Sequence, residues 1–404
     1  MYNTVRVKED LIYVGASDRR IALFENAYPV SNGISYNSYV FLDEKTALMD
    51  TVDWAIAEQF RENLLHTLDG RNLDYVVVSH MEPDHCSTLG IVLDLYPDVT
   101  IVGNIQVKKM ISQFYGRDVS DHFQAVKEGD TLSLGRHTLT FIGAPMVHWP
   151  EVMMSYEPEY KILFSADAFG KFGALSGNLF ASQTDVWKTE LSEARRYYCN
   201  IVGKFGANVS AVLKKAAALD IAMICPLHGP VLDDDLSYYL DKYTHWSGYT
   251  PEDETVLIAY GSIYGGTQNA ADILASLLAE KGVKNIRVYD VSSTHYSTIV
   301  AEAFRASTLV FASPTQDARL FAPMEIVLNE LKSKNLSKRN VALIENGTWA
   351  PMAAKPMRAV LESMKEITFI GETVSLLSTP QTNASRDDRA SLNALADAIV
   401  STLA

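Results

Sequence analysis

The chain has 404 residues, 48% hydrophobic and 21% charged, which is enough for two buried cores, and its formal charge of −14 disfavours nucleic acid, whose binding needs basic surfaces. No apolar run approaches the roughly 18 residues of a membrane span, and the first residues lack the basic and apolar regions of a signal peptide, so the cytoplasm is the expected location. Cys86, Cys199 and Cys225 form no C-x-x-C pair, which argues against structural disulfides and against an iron–sulfur or rubredoxin module within this sequence.

In chain order, the strand-like run TALM ends at Asp50, which reads as a turn or hydrogen-bond acceptor rather than as a ligand. DYVVV, residues 74 to 78, is short, apolar and β-branched, and predicts a buried strand. It runs straight into SHMEPDHCS, where His80, Glu82, Asp84 and His85 crowd together. LTFIGAP then leads into His148, KILFSA into Asp167 and AMICP into His228. One His or Asp after a strand is ordinarily a turn residue. Four strand-length runs that each end on ligand-type side chains point instead to one metal cluster fed by several strand ends. His66, His122, His137, His245 and His295 fall off this pattern and read as surface or satisfied residues. Glu82 to His85 also spells E-x-x-H, but a helical-bundle di-iron site needs two copies on long helices, and this single copy holds Pro83.

After the acidic, Pro-containing stretch YTPEDET, a natural linker, the second half begins with a buried strand over Val256 to Tyr260. A loop of Ser262, Ile263, Tyr264, Gly265, Gly266 and Thr267 follows, then a helix with Ile273, Leu274, Leu277 and Leu278 on one face. Backbone N–H groups of such a loop, with the helix N-terminus, suit a phosphate, and the Ser262 and Thr267 hydroxyls add donors. STLVFAS ends in Ser313, Pro314, Thr315, Gln316 and Asp317, and VALIEN ends in Asn346, Gly347, Thr348, Trp349 and Ala350. Three such loops at successive strand ends, with helices between, predict a doubly wound sheet that binds its ligand at the carboxyl edge.

The first half, with H-x-E-x-D-H and then His, Asp and His at strand ends, resembles the metallo-β-lactamase fold, an αββα sandwich with a dinuclear site at its edge. Glu82 stands where hydrolases of that fold commonly carry His, and in this the chain resembles the flavodiiron proteins. By that resemblance Asp167 bridges two metals, with His80, Glu82 and His148 on one and Asp84, His85 and His228 on the other. Hard carboxylates with imidazoles suit non-haem iron, whereas zinc leans on Cys and His. The second half resembles a flavodoxin, whose first-loop motif [S/T]-x-[T/Y]-G-x-T is met by Ser262, Tyr264, Gly265 and Thr267. The implied cofactor is FMN, with Tyr264 and Trp349 bordering the flavin ring; the later loops depart from the commoner patterns at Gln316-Asp317 and at Asn346-Gly347-Thr348. The expected domains are residues 1–249, lactamase-like, and 254–404, flavodoxin-like: α/β and α+β architecture over the whole length.

Flavodiiron membership implies reduction of dioxygen to water, of nitric oxide to nitrous oxide, or both, with two iron ions and FMN supplying the electrons. Because metal and flavin fall in separate domains, it also implies a head-to-tail homodimer or a tetramer built from such dimers. An external donor is needed: a rubredoxin, a flavin reductase or reduced deazaflavin. Two rival readings are a metal-dependent hydrolase and a non-catalytic FMN electron carrier. Tyr197, Tyr198 and Trp149 are candidates to reach the site but read as core packing.

Overall fold

The computed structural model describes residues 1–403, which cluster into two compact units: Met1–Tyr198 with Ala207–Tyr243, and Cys199–Gly206 with the chain from Thr244 onward. In the first unit two sheets face each other. One has seven strands in the order Val5–Arg6, Leu11–Tyr13, Tyr39–Leu42, Thr46–Met49, Tyr75–Val77, Thr100–Gly103 and Phe123–Ala125. Its first four strands are antiparallel, and from Thr46–Met49 onward neighbours run parallel. The other sheet orders Thr131–Ser133, Thr138–Gly143, Met153–Glu157, Ile162–Phe164 and Met223–Cys225, with only its last pair parallel.

Period-two alternation explains the core between them. Tyr39, Phe41, Ala47 and Met49 of one sheet meet Leu139, Phe141, Ile162, Phe164 and Met223 of the other. Helix Ala57–Leu68 buries Phe60 and Leu64 and packs on Tyr39–Leu42, and Ile105–Tyr115, capped by the Asn104 side chain, packs beside Phe123–Ala125. The runs expected before the metal ligands are all strands, ending at Val77, Gly143, Phe164 and Cys225. The ligands therefore emerge at strand ends on separate loops.

The second unit is a parallel sheet in the order Ile286–Asp290, Asp253–Tyr260, Ala306–Gln316, Arg339–Asn346 and Ile367–Phe369, with Val374–Leu376 also on Arg339–Asn346. Numbered along the chain this is 2-1-3-4-5, with the switch point between the first and third strands. Leu274, Leu277 and Leu278 of helix Gly266–Glu280 are buried against the sheet, and Ile273 is partly so. The first strand begins at Asp253, inside the stretch read as linker, because Asp253 pairs with Ala306 and accepts from Arg305 Nε at 2.8 Å. The second loop also differs from expectation. The third strand continues through Ser313 to Gln316 and turns at Asp317 and Ala318 (φ 50° and 57°) into a short hairpin with Arg319–Leu320.

Candidate functional site

Asp50 sets the entry to the first cluster. Its backbone sits at φ 55°, and its carboxylate accepts from Ser79 N at 2.6 Å, turning the chain as it leaves strand Tyr75–Val77. Burial outweighs these hydrogen bonds and raises its pKa to about 6. Glu82 is extended, and Pro83, whose missing N–H costs nothing at a first helical position, opens the four-residue helix Pro83–Cys86. Asp84 and His85 are thereby presented from one tight turn, pinned where Thr51 Oγ1 donates to His85 O at 2.7 Å.

The structure brings all seven predicted ligands into two groups: His80, Glu82, His148 and Asp167, and Asp84, His85 and His228, with ligand atoms in each within 4.8 Å of one another. Glu82 Oε2 lies 2.9 Å from His148 Nε2 and 3.4 Å from His80 Nε2. Asp84 Oδ2 lies 3.3 Å from His85 Nε2 and 3.2 Å from His228 Nε2. Asp167 divides between the groups. Its Oδ2 is 3.2 Å from His80 and 3.3 Å from His148, while its Oδ1 is 3.2 Å from His85 and 3.6 Å from His228.

These residues fit metal ions on two observations. His80 Nε2 and all four carboxylate oxygens of Asp84 and Asp167 are buried without a hydrogen-bond partner, and His85 Nε2 faces His228 Nε2 at 3.1 Å. Buried carboxylate oxygens without partners, turned toward ring nitrogens that face one another, are matched by a cation. The electrostatics agree. Burial opposes the imidazolium of His148, yet the facing carboxylates of Asp167 and Glu82 outweigh it and lift its pKa to about 9. Burial likewise opposes ionisation of Asp167, yet His80 and His85 hold its pKa well below the usual carboxylate range. The pocket demands positive charge, and metal binding would supply it in place of protons.

Several neighbours escaped the sequence reading. The distal nitrogen of His228, Nδ1, is 2.7 Å from Ser35 O, and that of His80 is 2.7 Å from the buried Glu151. Glu25, exposed at the tip of the hairpin Leu23–Phe24 to Tyr28–Pro29, lies near Glu82; desolvation beside the pocket, and then that negative charge, raise its pKa above the ordinary carboxylate value. Phe24, Tyr36 and Tyr197 surround His228 with ring centroids at 5.5, 5.6 and 5.4 Å. Trp149 stands edge-on to His80 at 5.2 Å, so Trp149 and Tyr197 border the pocket, while Tyr198 packs on Tyr243. Glu151 alone had a visible cue, a carboxylate three residues after His148 in HWPE. Glu25, Phe24 and Ser35 come from segments far upstream that carry no ligand spacing.

In the second unit a groove of about 550 Å³ is lined by Ser262, Ile263, Tyr264, Gly266 and Thr267, by Pro314 to Asp317, and by Asn346 to Ala350. Ala318, Met352, Ser378 and Thr379, not foreseen, line it too. Gly265 and Ser313 do not. Gly265, at φ 88°, makes the left-handed turn into the helix and donates its N–H to Ser262 Oγ at 3.1 Å; Ser313 is buried with its hydroxyl on Pro314 O. Asn346 ties the loops by donating to Thr267 Oγ1 at 3.2 Å and Ser378 O at 2.7 Å. A Cβ on Gly266 would meet Ser378 O at 2.6 Å, so the cradle needs glycine. Tyr264 and Trp349 are 98% and 90% exposed at the rim, a costly arrangement for rings unless a planar group covers them. Helix N-terminal donors and these rings fit a phosphate-bearing flavin.

Comparison with known proteins followed the same lines. A profile of the ODP family beta lactamase matches residues 34–229. An uncharacterised protein of Methanocaldococcus jannaschii is 30% identical over 362 residues, 89% of this chain and 90% of that one. The anaerobic nitric oxide reductase flavorubredoxin of Vibrio vulnificus is 30% identical over 353 residues, 86% of this chain and 70% of the relative. The solved structure of rubredoxin oxygen:oxidoreductase from Desulfovibrio gigas superposes with a TM-score of 0.91 at 26% identity, covering 99% of this chain and 98% of that one.

Proposed function

The chain belongs to the flavodiiron family, and from that premise we propose that it reduces dioxygen to water, nitric oxide to nitrous oxide, or both, at an iron pair fed by FMN. His80, Glu82 and His148 would hold one iron, Asp84, His85 and His228 the other, with Asp167 between them. The observation that carries this reading is the division of the Asp167 carboxylate, one oxygen toward each ligand group. Two ferrous ions and reduced FMN each supply two electrons when bound, enough with four protons to take dioxygen to two waters, while two electrons and two protons couple two nitric oxides into nitrous oxide and water.

The chain's own residues hold and screen that chemistry. Phe24, Tyr36 and Tyr197 wall the His228 side with apolar faces, and a dry pocket strengthens the pull of the carboxylates on cations. The Tyr197 hydroxyl is buried with no hydrogen-bond partner, so it has a proton to direct at a small guest. In the second unit Gly266 and Thr267 open the helix whose N–H groups would take the FMN phosphate, while Tyr264 and Trp349 would cover the ring system.

Residues 1–249 serve as the iron domain and 254–404 as the flavin domain in this reading. Since the ligands and the groove belong to different units, a head-to-tail homodimer, or a tetramer of two such dimers, would bring the flavin of one chain to the irons of its partner. Electrons would come from a rubredoxin, a flavin reductase or reduced deazaflavin, in the cytoplasm. Among the described residues no helix is long and apolar enough to cross a membrane. A hydrolase on the same fold would leave the flavin groove without a use, and an electron carrier would leave the ligand groups without one.

The deciding experiment reduces the protein anaerobically with a rubredoxin-type donor and follows dioxygen and nitric oxide with gas electrodes. Uptake of either gas, with water or nitrous oxide as product, is expected. Protein that contains iron and FMN but consumes neither gas would end the assignment. For the dimer, an Asp167→Ala chain mixed with a chain unable to hold FMN should regain activity that neither has alone.

A further inference from the structure

The two ligand groups differ behind their histidines. Glu151 is wholly buried, and its Oε1 accepts from both His80 Nδ1, at 2.7 Å, and Met81 N, at 2.9 Å. Its backbone is held in turn, since Asn104 Nδ2 donates to Glu151 O at 2.5 Å while Asn104 Oδ1 caps helix Ile105–Tyr115. Among the described residues no carboxylate hydrogen-bonds to a distal imidazole nitrogen in the other group, although buried Asp50 lies near His85. His228 Nδ1 meets only the Ser35 carbonyl, and His85 Nδ1 is buried with no hydrogen-bond partner. A carboxylate behind an imidazole fixes which nitrogen bears the proton and makes the opposite nitrogen a stronger donor to metal, more so than a neutral carbonyl does. A stronger donor favours the higher oxidation state of the iron it faces.

We propose that Glu151 is a positioning residue that holds His80 with its proton on Nδ1 and makes the iron at His80, Glu82 and His148 the harder of the two to reduce. The pair then accepts electrons in order, first at Asp84, His85 and His228. This rests on the di-iron reading above and adds an asymmetry that the ligand set alone does not contain, because each group has two imidazoles and a terminal carboxylate with Asp167 shared.

The test compares the holoprotein with Glu151→Gln, which can accept the same two hydrogen bonds but carries no charge. Redox titration followed by Mössbauer and EPR spectroscopy should show two one-electron steps in the parent protein. In the variant the lower step should rise by about 60 to 120 mV, a tenfold to hundredfold change in its equilibrium constant. Glu151→Leu removes the acceptor altogether, so titrating metal-free protein with cobalt(II) should show one of two sites weakened about 10- to 100-fold. Unchanged potentials in Glu151→Gln with both irons present, or two cobalt sites weakened equally in Glu151→Leu, would overturn the proposal. If the parent protein holds no iron pair, the functional reading itself fails, which is a different result.

Discussion

The metal pocket and the flavin groove solve opposite problems. His80, His85, His228 and Asp167 are at most 1% exposed and the Asp167 carboxylate faces all three imidazoles, so the fold encloses this pocket on every side. Tyr264 and Trp349, at 98% and 90%, stand in solvent around a groove braced by Asn346 and by the hydrogen bond from Met352 N to Thr315 Oγ1. The carboxylates of the first site hold positive charge in the pocket, as protons on the imidazoles or as a cation in their place. The second is an open cradle whose ligand brings its own surface to bury. Metal and protein are thus expected to depend on each other far more than flavin and protein do.

The hardest test of that contrast is Asp167→Ala. This carboxylate reaches all four histidines, so its loss should empty both metal positions and cut gas reduction on the order of a hundredfold or more. FMN content should stay at one per chain. Flavin lost together with iron would mean that the two sites are not separable. Next in size is removal of the cofactors from the unaltered protein. Stripping iron leaves buried carboxylates and imidazoles facing one another and should lower the melting temperature markedly, since a ligand held at a hundred times its Kd contributes about 2.7 kcal/mol. Stripping FMN should lower it less, and calorimetry on both forms orders the two effects.

How far the sequence foretold these sites follows the same division. Each candidate metal ligand could be read because it follows closely on a short apolar strand, and strand periodicity together with ligand chemistry is local information. The helix after Gly265 was legible for the same reason, through Leu274, Leu277 and Leu278. What could not be read depends on chain segments that meet only in the fold. Glu25 and Phe24 reach the pocket from a hairpin more than 50 residues before His80, at no spacing that a ligand rule would flag. The hairpin turn at Asp317 and Ala318 adopts positive φ without glycine, so composition gave no cue that Ser313 to Gln316 was strand and not loop. Ser378 and Thr379 enter the groove from a fourth segment that lacks any flavin motif.

A gentler probe of the groove is Trp349→Ala. An exposed ring that stacks on flavin contributes about 0.5–1.5 kcal/mol, so FMN should bind about two- to tenfold more weakly while iron content holds. Fluorescence titration of the flavin-free protein measures this directly. No change in affinity would place Trp349 outside the flavin contact and transfer its exposure to a protein partner.

The finest test asks whether charge burial in the first unit acts only through metal. His137 is buried away from the ligands, with Nε2 2.9 Å from Asp10 Oδ2 and Nδ1 3.1 Å from Glu157 Oε1, and it joins the turn after Val5–Arg6 to the hairpin that ends in Thr138–Gly143. Burial opposes its imidazolium, but Asp10 and Glu157 outweigh burial and raise its pKa above the ordinary value. A raised folded pKa means that the contribution is complete below the unfolded value of about 6.5 and fades as pH climbs through the folded one. Asp10, whose pKa His137 and Tyr160 hold down against burial, works the other way: its contribution is present above the ordinary carboxylate range and fades as pH falls through its lowered value. The first unit should therefore lose melting temperature as pH rises above about 6.5, even with both irons bound. His137→Gln should start lower, by about 1–3 kcal/mol for the unpaired carboxylates, but show a flatter alkaline limb. An identical limb in both proteins would take the pH dependence away from His137 and turn the search to the imidazoles of the metal pocket.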